Sequence, residues 1–92
     1  MINLEAKKLI DAKEFKVWLV ENTNYSAAVV TDTVSRIKRA DKILEWNEED
    51  VYQFRLEQKD KYKMLSVSVR SQIKKAVKLY TEFWVSQEGK VE

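Results

Sequence analysis

The side chains of this 92-residue chain that could do chemistry are bases, acids and hydroxyls, because the sequence contains no histidine and no cysteine. Without these two residue types it cannot form a Ser-His-Asp or Cys-His nucleophile, a thiol redox centre, a disulfide or an ordinary zinc site. Glu48, Glu49 and Asp50 are consecutive, so on a helix they point in different directions and cannot form a catalytic carboxylate pair. We therefore expect a binding module and not an enzyme, with no cofactor and no metal.

Positive charge is unevenly distributed along the chain, although the formal net charge is only +2. Residues 61–81 contain six bases and no acid, and three of these bases recur every four residues, along one edge of a helix: Arg70, Lys74 and Lys78. A second basic group lies upstream, with Asp41 as the only acid in its window, and consists of Arg36, Lys38, Arg39 and Lys42. Bases interspersed with serine, threonine and glutamine are the groups that bind phosphate oxygens. Two ordinary solvated helix faces are the alternative interpretation.

The elements that must position these bases are helices, because one glycine and no proline leave few turn residues for a β-protein. Capping residues and apolar periodicity predict four main helices. They cover residues 12–22 after Asp11, 27–44 after Ser26, 47–59 with Asn47 as N-cap, and a last helix from Ser66 or Ser68 to Trp84 or beyond. Residues 4–10 extend the first helix, fray, or form a short fifth helix, and residues 59–64 are predicted to form a loop.

Apolar spacing predicts one core and one domain. The residues expected to be largely buried are Trp18, Val34, Ile37, Phe54, Ile73, Val77 and Tyr80, with Val51 and Tyr62 also facing the core. We expect a single domain over residues 1–92, folded over about 11–86, with a frayed tail at 87–92. No apolar run exceeds four residues, so the sequence predicts no membrane span, no signal peptide and a cytoplasmic location.

The order of features also resembles a known family. An aromatic helix, a polar loop and a capped second helix follow one another, carried by Phe15, Trp18, Leu19, Tyr25, Ser26, Ile37 and Leu44. This order resembles the opening of the core-binding domain of phage integrases, which are tyrosine recombinases. Residues 65–83 are similar to the last helix of that domain, and the resemblance covers about residues 12–86. It implies an all-α fold, a compact four- to five-helix SAM-like orthogonal bundle that clamps one side of a DNA site during DNA integration and recombination.

The resemblance further implies which residues face DNA. They are Ser26, Lys38, Arg39, Lys42, Ser68, Arg70, Ser71, Lys74, Lys75 and Lys78. Most would contact phosphates, so the isolated domain would bind duplex DNA with weak sequence selectivity. In such recombinases the catalytic residues lie in a separate domain, which implies a catalytic partner domain in a longer parent chain.

A protein-interaction helical bundle is the alternative function. A small core can leave aromatic side chains exposed, and these are common at protein interfaces. The candidates are Tyr25, Trp46, Tyr62 and Trp84. A titration with duplex DNA against salt, and a measurement of solution mass, discriminate between the two functions.

Overall fold

Five helices and no strand make up residues 10–90, the part of the chain that our computed structural model describes. They are α1 (Ala12–Asn22), α2 (Ala27–Ile43), α3 (Tyr52–Glu57), α4 (Asp60–Lys63) and α5 (Val67–Lys90). The predicted all-α class is confirmed, and five helices fall within the predicted number. The fifth helix is α4, however, in the segment predicted as a loop. The predicted N-terminal helix over residues 4–10 lies almost entirely outside the described residues.

The N-caps of α1 and α2 confirm the predicted helix starts. The Glu14 N–H donates to Asp11 Oδ1 at 3.3 Å, and the Val29 N–H donates to Ser26 Oγ at 3.2 Å. Each bond satisfies a backbone donor that the first turn of a helix leaves without an intrahelical partner. These starts are local properties of the sequence and place Tyr25 in the short link between the two helices.

The start of α5 is the earlier of the two predicted positions. The Val69 N–H donates to Ser66 Oγ at 3.2 Å, so Ser66 plays the capping role here. The helix then continues to Lys90. Residues 87–90, predicted to belong to a frayed tail, are therefore helical.

The start of α3 differs from the prediction. Asn47 does not cap a helix, because its Oδ1 accepts the Glu49 N–H at 2.8 Å within a local turn. The helix begins at Tyr52 instead. Glu48, Glu49 and Asp50 consequently lie in the loop before α3, so the helix predicted for residues 47–59 does not include them.

The side of α3 that faces the core also differs from the prediction. Phe54 is 64% exposed and Val51 is 50% exposed, so both core predictions are wrong, whereas Tyr52 and Leu56 are buried. The Tyr52 hydroxyl donates to the Leu44 carbonyl at 2.7 Å, next to the C-terminal end of α2. That bond turns the Tyr52 side of α3 inwards, and Phe54, two residues further along the helix, points away.

The short helix α4 brings Tyr62 into the core. Its side chain is 3% exposed, and its hydroxyl donates to the Arg70 carbonyl at 2.9 Å. The core position predicted for Tyr62 is confirmed. Its alternative role as an exposed aromatic for a partner protein is wrong.

The core forms where α2 packs against α5 and α1 packs against both. Most of the predicted core residues are buried, namely Val34, Ile37, Ile73, Val77 and Tyr80. Trp18 is only half-buried. Trp46, predicted as an exposed loop aromatic, is 3% exposed because its ring meets the Tyr80 ring edge-on at 4.8 Å. None of the helices within residues 10–90 combines the length and apolarity needed to cross a membrane.

Three buried tyrosines make the fold sensitive to alkaline pH. Burial raises the pKa of Tyr52 above its ordinary value of 10.0, and the nearby Asp41 carboxylate raises it further. Burial also raises the pKa of Tyr62 and of Tyr80. The folded state holds these hydroxyl protons more tightly than the unfolded chain does. The contribution of the three tyrosines to the free energy of unfolding is therefore complete below about pH 10 and is lost as the pH rises above it.

We therefore expect the urea midpoint to fall steeply from pH 9 to pH 11, where unfolded tyrosines ionise, about pH 10. Tyr52→Phe removes the group whose pKa is raised most. The urea midpoint of this variant should therefore fall less between pH 9 and pH 11 than that of the unmodified protein, each compared with its own midpoint at lower pH. An equal fall in both proteins would contradict the role assigned to the Tyr52 hydroxyl.

Candidate nucleic-acid interface

The DNA-facing residues predicted on α2 lie together on its outer face. Lys38, Arg39 and Lys42 are exposed and line one shallow surface depression with Ser35. Among residues 10–87, whose side chains the structure describes, no carboxylate lies within ion-pair distance of these three bases. An uncompensated positive face of this kind attracts phosphate groups.

Ser26 is separated from these bases by the length of α2. Its Oγ accepts the Val29 N–H, so the side chain serves as the N-cap of the helix. At 1.5 Å per residue, the distance along the axis from Ser26 to Lys38 is about 18 Å. The structure therefore does not bring Ser26 together with the outer-face bases of α2.

The bases predicted along one edge of α5 face α3 and α4 rather than α2. Lys74 Nζ lies 4.0 Å from Glu57 Oε2, and Arg70 lines a cavity together with Glu57 of α3 and Tyr62 of α4. Lys74 and Lys78 also line a groove of about 690 Å³ whose opposite wall is the acidic loop at residues 48–50. Acids that are distant in sequence thus offset part of the positive charge of this edge.

Lys75 lies on a different flank of α5, which faces α2. Its ammonium stands 5.6 Å from the centre of the Tyr25 ring. With Arg36 and Gln72 it lines a cleft of about 170 Å³ between α2 and α5. Ser68 and Ser71 are exposed on α5, and Ser71 lines the same groove as Lys74.

Neighbouring surface depressions share basic side chains, so the bases of α5 and α2 follow one another across the surface, past the acidic wall of the groove. Lys74 lines both a cavity beside α4 and the groove, and Lys75 lines both the groove and the α2–α5 cleft. Arg36 joins the cleft to the next depression, and Arg39 joins that depression to the outer face of α2. We call this succession the basic track. In order across the surface it contains Lys63, Arg70, Lys74, Lys78, Lys75, Arg36, Arg39, Lys38 and Lys42.

Two members of the basic track were not among the predicted DNA-facing residues. Lys63 lines the cavity beside α4 with Arg70, and Arg36 lies at the junction between the cleft and α2. Arg36 also pairs with Asp32 at 4.0 Å, an exposed contact one helical turn apart. Both bases belong to the charge-rich segments seen in the sequence, which is the signal that could have identified them.

Comparison with known proteins adds no relative from which a function could be transferred. No protein-family model, no curated protein and no solved structure matches the chain.

Proposed function

We propose that this chain is a DNA-binding helical module that contacts the phosphate backbone of duplex DNA through the basic track. The observation that carries the proposal is the unbroken succession of bases from α5 to α2, in which neighbouring depressions share Lys75, Arg36 and Arg39. Lysine and arginine side chains that neutralise phosphates release condensed counterions, and this release supplies most of the affinity for DNA of any sequence. The arginines can also contact a phosphate with two parallel hydrogen bonds.

Binding through phosphates has two consequences. Sequence selectivity is weak, because phosphates carry no direct information about bases. Affinity is modest, with dissociation constants of about 10⁻⁴ to 10⁻⁶ M at physiological salt. A catalytic recombinase domain in a longer parent chain, as the integrase resemblance implies, would raise the affinity by avidity. In that setting the module would hold DNA during integration or recombination.

Protein binding through an exposed aromatic is the second candidate function. The observation that favours it is Phe54, which is 64% exposed on the outer side of α3. Exposed aromatics of this size are enriched at protein interfaces. Of the four aromatics predicted for this role, Trp46 and Tyr62 are buried and Tyr25 and Trp84 are half-buried. Phe54 is more exposed than any of them, so the partner surface is centred on it.

A salt titration tests the DNA proposal. We expect log affinity for a duplex of about 20–30 base pairs to fall with log salt at a slope of about −3 to −4.5, which corresponds to three to five phosphate contacts. Arg39→Glu should weaken binding to every duplex alike and make the slope shallower by about one. Lys16→Glu is the matched control, because Lys16 is an exposed base on α1 that does not line the basic track.

Two outcomes would overturn the DNA proposal. One is the absence of binding at low salt, and the other is an equal loss of affinity in Arg39→Glu and Lys16→Glu. A concentration-dependent solution mass that Phe54→Ala abolishes would favour the protein-binding candidate instead.

A further inference from the structure

A small cleft opens between α2 and α5 where the basic track passes from one helix to the other. Its volume of about 170 Å³ lies below the range of about 300–1,000 Å³ that is usual for drug-sized ligands. Val29, Ala76 and Leu79 line it with apolar atoms, and the hydroxyl of Thr33 is already occupied because it donates to the Val29 carbonyl at 2.8 Å. The cleft therefore suits one small ring system that presents an apolar surface to these residues.

An aromatic ring and three polar side chains complete the lining of this cleft. The Tyr25 ring is half-buried and packs against the core, and the Lys75 ammonium stands over it at 5.6 Å from the ring centre. Cation–π contacts of exposed lysines are weak, so the ammonium can leave the ring at little cost. Gln72 is exposed and carries both donors and an acceptor, while Arg36 supplies a second cation.

We infer that this cleft binds a single unpaired nucleobase of a DNA strand that lies along the basic track. The base stacks on Tyr25 in place of the Lys75 ammonium, its polar edge hydrogen-bonds to Gln72, and Lys75 and Arg36 contact the flanking phosphates. The inference rests on the proposed function, since the same track holds the strand. A base inside a duplex has both faces covered by its neighbours, so only a bulged, gapped or single-stranded base can enter.

The test compares three duplexes of about 20–30 base pairs at one salt concentration. The first is fully paired, the second carries one unpaired thymine, and the third carries an abasic residue at the same unpaired position. The abasic bulge keeps the distortion of the backbone and lacks the base, so the ratio of the last two affinities isolates base binding. We expect the thymine bulge to bind roughly 5- to 140-fold more tightly than the abasic bulge, the range that stacking on an aromatic side chain supplies.

Variants of the cleft sharpen this test. Tyr25→Leu should abolish the preference for the thymine bulge, and Tyr25→Phe, which keeps the ring, should retain it. Gln72→Ala should reduce the preference, and because Gln72 is exposed the variant should stay folded. All three variants should bind the fully paired duplex as the unmodified protein does.

The outcomes separate this inference from the proposed function. Equal affinity for the thymine and abasic bulges, together with salt-dependent binding of the paired duplex, overturns the inference and leaves the proposed function standing. A preference that persists in both Tyr25→Leu and Gln72→Ala also overturns it, because the base is then held elsewhere. Failure to bind all three duplexes overturns both.

Discussion

Phe15→Ala is expected to lower the free energy of unfolding by about 3–5 kcal/mol, the usual cost of truncating a buried phenylalanine. Phe15 is fully buried, and its ring meets the Tyr80 ring edge-on at 5.0 Å and the Phe83 ring at 5.5 Å. Rigid aromatic neighbours collapse poorly into the space left behind, so most of the cavity should remain. Because domains of this size are stable by only about 5–15 kcal/mol, the variant should lie close to unfolding.

The same substitution at Phe54 is the matched control. Phe54 is 64% exposed, so Phe54→Ala should change the free energy of unfolding by no more than about 0.5 kcal/mol. Urea denaturation followed by tryptophan fluorescence measures both variants, because Trp18 and Trp46 lie within or against the core. Similar losses at the two positions would contradict the phase of α3 described above.

Reversing three charges along the basic track should have the largest effect on DNA binding. In the combined variant Arg39→Glu, Lys42→Glu and Lys75→Glu, three attractive contacts with phosphates become repulsive. Like charges brought together at an interface cost several kcal/mol, so we expect affinity at low salt to fall by about 100-fold or more. Any binding that remains should have a log–log salt slope that is shallower by about 2.7.

The control for this variant reverses the charges of three bases that lie outside the basic track. Lys13 and Lys16 on α1 and Lys61 on α4 are exposed, and reversing all three gives the same net charge. This control should lose far less affinity, and circular dichroism should show both variants to be folded. Equal losses would show that binding follows net charge rather than the position of the bases, and the DNA proposal would fail.

The fold class and the starts of α1, α2 and α5 were predictable from the sequence, because they depend on local chemistry. A chain without proline and with one glycine lacks the residues of tight turns, and Asp11 and Ser26 cap their helices through atoms three residues away. The burial of Ile73 and Tyr80 also follows from local periodicity within α5.

Tertiary contacts decided the orientation of α3 and the burial of Trp46. The bond from the Tyr52 hydroxyl to the Leu44 carbonyl joins two elements, and apolar spacing within α3 could not reveal it. The same holds for Trp46, which is buried because the Tyr80 ring, distant in sequence, lies against it.

One part of the candidate site was predictable from the sequence, and the other part depends on tertiary packing. The two basic segments were visible in the sequence, because charge is a property of each residue. Which charges remain exposed together depends on packing: Lys74 lies beside Glu57, while its neighbour Lys75 lies over Tyr25 at the cleft between α2 and α5. Successive residues of a helix point about 100° apart, so adjacent lysines meet different neighbours once α5 packs against α2 and has Glu57 of α3 beside another of its flanks.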